Sequence, residues 1–286
     1  MKHLSRMGFS VKEIVTDCAS SFRDESLKEK YISSAEYIEQ KSKEYVAVAN
    51  NNDWPDISPH KAVNTIITKD EMVYLYNNKF VTHQDIRTRY YDKILANVKS
   101  GKCPICGIGQ ASTLDHYLAK TLYPTYSVTP DNLIPACKDC NSNKGNSPVN
   151  SKLSAPLHPY FDDVDNVIWL CADVVPKNNI LVAQYYVNPE IEEVNVELYS
   201  RLCAHLDLYK LKHAYSVQAS TEISENIGIW KKVYQLSGKQ RLLQYLTECL
   251  QSYPCRDPQD PRRRTDRHPR KRTGSGRRLS GGRAHA

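Results

Sequence analysis

CPICGIGQASTLDHYLAKTLYPTYSVTPDNLIPACKDCNSNKG, residues 103–145, decides the reading of this 286-residue chain. Cys103 and Cys106 form one Cys-x-x-Cys pair, Cys137 and Cys140 a second, with thirty residues between the pairs. Each tight turn lets two sulfurs reach one ion, and four thiolates meet the tetrahedral preference of zinc. A lone pair could be a redox couple, but that leaves the second pair unexplained. A structural four-cysteine zinc site is therefore expected. The insert is long enough to carry structure of its own. Thr113-Leu114 leads into Asp115-His116, Thr129–Asn132 carries turn residues, and Leu133–Ala136 reads as a short extended segment. Asn, Asp and Ser around Cys140 suit a helix start, and Gly145 suits an early stop. The expected order is strand, loop, strand, short helix, closed at both ends by one zinc.

Working outward, the flanks are mainly helical. Leu27, Tyr31, Ala35 and Ile38 recur at helical steps through a stretch ending near Val48, and Ile86, Tyr90 and Ile94 mark a second helix leading into Gly101. The segment ANNNDWPDISPH between them reads as a loop. Downstream, β-rich runs at Asn166–Val174 and Ile180–Val187 flank Pro176-Lys177-Asn178-Asn179 as a hairpin. Helices are expected at Val194–Ser216, Ile223–Leu236 and Lys239–Tyr253. The fold class is α+β: helical flanks around a zinc-stapled core, with a downstream hairpin and helices. The expected regions are 1–98 helical, 99–163 the core, 164–255 hairpin and helices, and 256–286 a disordered Arg-rich tail.

Charge sits at one end. The chain carries a formal net charge of +7, but residues 256–286 hold eleven basic and three acidic groups, leaving 28 basic and 29 acidic in residues 1–255. The tail has only Leu279 among large aliphatics, too little burial to offset the entropy of ordering. Its ten Arg against one Lys, after a body with 22 Lys and 6 Arg, fits a native basic arm or a foreign segment equally. Nine cysteines and no signal-like start favour a reducing, cytoplasmic setting over a disulfide framework. The five cysteines outside the pairs read as small buried hydrophobes. No apolar run approaches membrane-spanning length. Nineteen tyrosines against four phenylalanines suggest the periphery of a core.

His116, then Asn132 after fifteen residues and Asn141 after eight more, all framed by the cysteine pairs, resembles the HNH endonucleases. The matching phrases are CPICG, LDHYLAK, PDNLIPACKDCNSNKG and LHPYFDD, across residues 103–163. The resemblance implies a ββα-metal fold and a nuclease cutting nucleic acid, DNA favoured, to leave a 5′-phosphate and a 3′-hydroxyl. It implies His116 as general base, which suits an imidazole titrating near neutrality. It also implies Asp115 and Asn141 as ligands of the catalytic metal, with Asn132 bracing the loop and orienting the base. One carboxylate and one amide oxygen are hard ligands that leave room for water and phosphate, which suits Mg²⁺ or Mn²⁺.

Each residue also has a plainer reading. Asp115 could close a strand, Asn132 sit in a turn, Asn141 cap a helix and His116 pack in a core. All four would have to coincide inside a zinc ribbon. Lys120 and Lys144 read equally as phosphate contacts or solvated lysines, and Lys138 joins them as a local basic cluster. His158 reads as packing rather than a ligand, and Asp162 and Asp163 as solvated turn residues. The competing functions are a non-catalytic zinc ribbon binding nucleic acid or protein, which needs only the cysteines, and a thiol-redox protein. The general organisation resembles bacterial anti-phage nucleases of the Septu type, which work beside an ATPase partner.

Overall fold

The computed structural model describes residues 1–178 and 180–252. Ser10 caps α1 (Val11–Ser20) by accepting from the Glu13 amide, and Asp24 caps α2 (Glu25–Asn51) by accepting from Leu27. The two helices pack together through Ile14, Val15 and Cys18 of α1 and Tyr31, Ala35 and Ile38 of α2. A capping box of Thr68 and Glu71 opens α3 (Lys69–Leu75), which runs on through a π-helical turn, Tyr76–Phe80. Next come α4 (Gln84–Ile86), a second π-helical turn (Arg87–Tyr91) and α5 (Asp92–Ala96). The helix expected to end near Val48 thus continues to Asn51, where Asn52 stops it in the left-handed conformation (φ 55°). Helices α1 and α3 lie outside the expected helices, although Val11, Ile14, Val15 and Cys18 recur at helical steps and form the buried face of α1.

The expected central order is present. Strand β1 (Thr113–His116) pairs antiparallel with β2 (Leu133–Ala136), placing Asp115 opposite Ile134 and His116 opposite Leu133. Helix α6 (Lys138–Lys144) follows at once and stops at Gly145 (φ 54°). It starts earlier than expected. Cys137 is the cap, its sulfur accepting from the Cys140 amide, so Asn141 lies inside the helix rather than at its start.

Strand β3 (Leu170–Lys177) pairs with β4 (Ile180–Val187), with Lys177 opposite Ile180, so Pro176 and Lys177 belong to the strand and the turn is two residues long. The first β run starts at Leu170, not Asn166. The expected helix 194–216 is divided. Helices α7 (Glu190–Val194) and α8 (Val196–Leu208) end before Lys210 (φ 53°), and α9 (Leu211–Ser252) runs through a kink at Gly238. Glycine at φ 76° and ψ −179° is not helical and divides that run into two helices, at the boundary expected between Leu236 and Lys239.

Two apolar cores meet at the β1–β2 ribbon. Leu114 and Leu133 join the core built by α1, α2 and α3, while Ile134 and Ala136 join the core of Trp54, Trp169, Leu202 and the zinc-pair cysteines. Many tyrosines sit deep in the two cores rather than at their periphery, although Tyr37, Tyr74, Tyr186 and Tyr234 are exposed. Tyr31, Tyr117, Tyr160 and Tyr215 bury their rings and donate to the backbone carbonyls of Glu71, Pro156, Leu133 and Cys106. A phenol buries an aromatic body and satisfies a distant carbonyl at once, which phenylalanine cannot do. Of the other cysteines, Cys18 is buried, but Cys171, Cys203 and Cys249 are half-buried. Among the described residues no helix is long and apolar enough to cross a membrane. The Arg-rich tail and Cys255 lie outside the described residues.

Candidate active site and metal centre

Cys103, Cys106, Cys137 and Cys140 converge, all buried, with their sulfurs within 4.8 Å of one another. The Cys106 and Cys137 sulfurs are 3.8 Å apart. A tetrahedron with zinc–sulfur bonds of about 2.3 Å spaces its sulfurs about 3.8 Å apart, so the cluster has the size and donor set for zinc. The first pair is shaped by backbone: Gly107 (φ 72°) donates to the Cys103 carbonyl, and Cys103 donates to that of Gly109. A side chain at Gly109 would put its Cβ 2.8 Å from the Cys137 Cβ, so only glycine lets the two pairs close on each other. Helix α8 supports the turn, as His205 Nε2 donates to the Ile105 carbonyl.

His116 ends β1, buried. Its Nε2 lies 2.8 Å from the Ser127 carbonyl, which can only accept, so Nε2 carries the proton. Nδ1 then holds a lone pair, and it has no hydrogen-bond partner among the described residues. Burial, helped by the nearby charge of Lys120, pulls the imidazole down to about 3, keeping it neutral. The Tyr76 ring packs against it, centroids 4.5 Å apart.

Asp115 leaves the strand toward α6, where its Oδ1 lies 3.6 Å from Lys144 Nζ. Burial pushes its carboxyl up to about 6, against the pull of Lys144. Lys144 also donates to the His116 carbonyl. Adjacent strand residues face opposite ways, and the partners of Asp115 and His116 differ accordingly. Asn132 uses its whole amide. Oδ1 accepts from the Leu118 amide (2.7 Å) and the Tyr45 hydroxyl (3.2 Å), and Nδ2 donates to the Leu118 and Tyr126 carbonyls, each at 3.0 Å. A neutral imidazole, a buried carboxylate and a saturated amide thus lie within the segment closed by the four cysteines.

Residues 103–147 match the HNH endonuclease family. The chain is also similar to protein ea31 of Escherichia phage lambda, 28% identical over 238 residues that cover 79% of each protein. No solved structure matches.

Within the HNH domain, Asn141 Nδ2 donates to Thr113 Oγ1 (3.2 Å), which leaves its Oδ1 without a partner among the described residues. Thr113 and Asp115 share one face of β1, as Asn141 and Lys144 share one face of α6. The unpartnered amide oxygen on α6 and the buried carboxylate on the facing strand are hard oxygen donors of the kind a divalent cation takes.

The lysines are placed differently from expectation. Lys144 is 2% exposed and ion-paired, neither solvated nor open to a phosphate. Lys120 is half-buried, with Nζ donating to Asn77 Oδ1 (2.9 Å) and lying 4.3 Å over the Tyr76 ring. Lys138 alone of the three is exposed. His158 is a packing residue, stacked on Trp54 and bonded to Tyr45, while its Nδ1 accepts from the Tyr160 amide. Asp162 is not a solvated turn residue: it takes both guanidinium arms of buried Arg201 and accepts from the His158 amide. Asp163 is exposed and accepts within its turn. Sequence reading missed Tyr45, Tyr76, Ser127 and Arg201. Ser127 acts through its carbonyl, which no residue type reveals, and the others act from distant elements.

Proposed function

We propose that the chain is a metal-dependent nuclease that hydrolyses phosphodiester bonds of nucleic acid, with DNA as its substrate. An HNH domain points to nuclease chemistry, and one observation carries the finer reading. His116 is held neutral, its Nε2 proton committed to Ser127 and its Nδ1 lone pair uncommitted, beside Asp115 inside the cysteine-closed ribbon. In this reading Nδ1 takes a proton from the attacking water. Asp115 and Asn141 would hold Mg²⁺ or Mn²⁺. The ion supplies positive charge for the phosphate and the leaving oxygen. Asn132 fixes the loop after β1, and the four cysteines would hold structural zinc.

Residues 99–163 are the catalytic core of this proposal, and the helical regions 1–98 and 164–255 position substrate or dock a partner. The expected defence setting with an ATPase partner rests on that general organisation alone.

Purified protein incubated with duplex DNA, single-stranded DNA and RNA, with Mg²⁺, Mn²⁺ or chelator, tests the reading. Metal-dependent cleavage of DNA is expected, with the 5′-phosphate on the product. His116→Ala should lower it by 10²-fold or more, a loss of roughly the size expected for a general base, while zinc content stays the same. Undiminished cleavage in His116→Ala would overturn the base assignment.

A further inference from the structure

The π-helical turn Tyr76–Phe80 lies outside the segment matched to the HNH family, yet it reaches the proposed base. Its widened hydrogen bond runs from the Val81 amide to the Tyr76 carbonyl, 3.0 Å. Turns of this kind recur at functional sites. Tyr76 opens that turn while its amide still donates to the Met72 carbonyl, so the end of α3 holds its ring against His116 with the two rings tilted by 67°. Tyr76 is also tied to the loop that holds the other side of the imidazole. Lys120 sits on the Tyr76 ring and bonds the next residue, Asn77. The same loop supplies the Ser127 carbonyl that takes the Nε2 proton. The imidazole is therefore gripped between a carbonyl and an aromatic ring, and a cation on that ring joins the two grips.

We propose that Tyr76 is a positioning residue for His116: its ring, held at the junction of α3 and the π-helical turn, fixes the imidazole orientation that leaves Nδ1 open to water. The proposal rests on the reading of His116 as the base. The hydroxyl of Tyr76 has no hydrogen-bond partner among the described residues, so the ring alone carries the role. Phenylalanine should therefore replace it and an aliphatic chain should not.

The test compares the full-length wild type, Tyr76→Phe and Tyr76→Leu. It records the ¹⁵N shifts of the His116 ring nitrogens beside kcat and KM for DNA cleavage with Mg²⁺. Tyr76→Phe should keep a single Nε2-protonated form and kcat within about twofold. Tyr76→Leu should show mixed tautomers and a kcat lower by roughly 10- to 100-fold, with KM unchanged, as expected for a misplaced reacting group. Equal zinc content and melting temperature in the three proteins separate this from a folding defect. If Tyr76→Leu does not fold, Tyr76→Met, which refills the space flexibly, takes its place in the same comparison. Wild-type shifts and kcat in the aliphatic variant would overturn the proposal, as would a phenylalanine variant as impaired as the aliphatic one. If the wild type cleaves nothing, the base reading fails, and the ¹⁵N signature still decides whether Tyr76 orients the ring.

Discussion

The two ribbons of this molecule are held in opposite ways. Strands β3 and β4 have eight residues each and a two-residue connection, and β4 alternates between buried and exposed from Ala183 to Val187, packing against α9. Strands β1 and β2 have four residues each, lie sixteen residues apart in the chain and are buried almost throughout. A pair that short has little stability of its own. It is held by the cysteine staple, by two cores and by the saturated amide of Asn132. Burial of Asp115 and His116 is possible only because distant groups supply their partners, since an unpaired buried polar group is costly.

The largest expected effect comes from the staple. Cys137→Ser should release metal and open residues 103–147, because metal binding is part of the folding free energy. Hydrogen exchange should then show β1–β2 unprotected while β3–β4 keeps its protection, and parallel loss in both would erase the contrast. Between the ribbons, Arg201→Met strands the partly buried carboxylate of Asp162. A destabilisation of about 3 kcal/mol, typical of half a broken buried pair, is expected by urea unfolding.

Acid should act on the stapled side. His158 and His205 are both held neutral by burial, the second at about 3, while an unfolded imidazole titrates near 6.5. The unfolded chain binds those protons first, so their contribution is full above about 6.5 and lost as pH falls toward 3. Asp115, pushed up to about 6, has the reverse sign, favouring the fold at low pH and costing stability above that value. The two histidines outweigh it, so the melting temperature should fall from pH 7 to pH 5. A flat profile would mean that these imidazoles are not buried neutral. The smallest effect belongs to the open ribbon. Ile180→Lys at its 64% exposed tip should change stability by less than about 0.5 kcal/mol.

What was legible in the sequence follows from range. The cysteine pairs, the strand–loop–strand–helix order and the stop at Gly145 rest on chemistry within a few residues, and all are present. The resemblance to the HNH endonucleases, not spacing, singled out Asp115, His116 and Asn132 within that order. Tyr45 reaches Asn132 from 87 residues away and Arg201 reaches Asp162 across 39, distances at which residue type says nothing about pairing. Lys144 misled because lysine near a helix end is ordinarily solvated, whereas here the Asp115 carboxylate and the His116 carbonyl offset its burial. Gly238 was legible, since at φ 76° and ψ −179° it parts two helices at the expected boundary between Leu236 and Lys239.

The bond from Tyr45 to Asn132 has a consequence for modularity. The segment matched to the HNH family begins at residue 103, but its brace is completed from α2 and its imidazole is flanked from the end of α3. The portion recognisable by likeness is therefore smaller than the portion that must travel together. A graft of the recognisable segment into another scaffold would carry Asp115, His116 and Asn132 and leave behind the partners that hold them still.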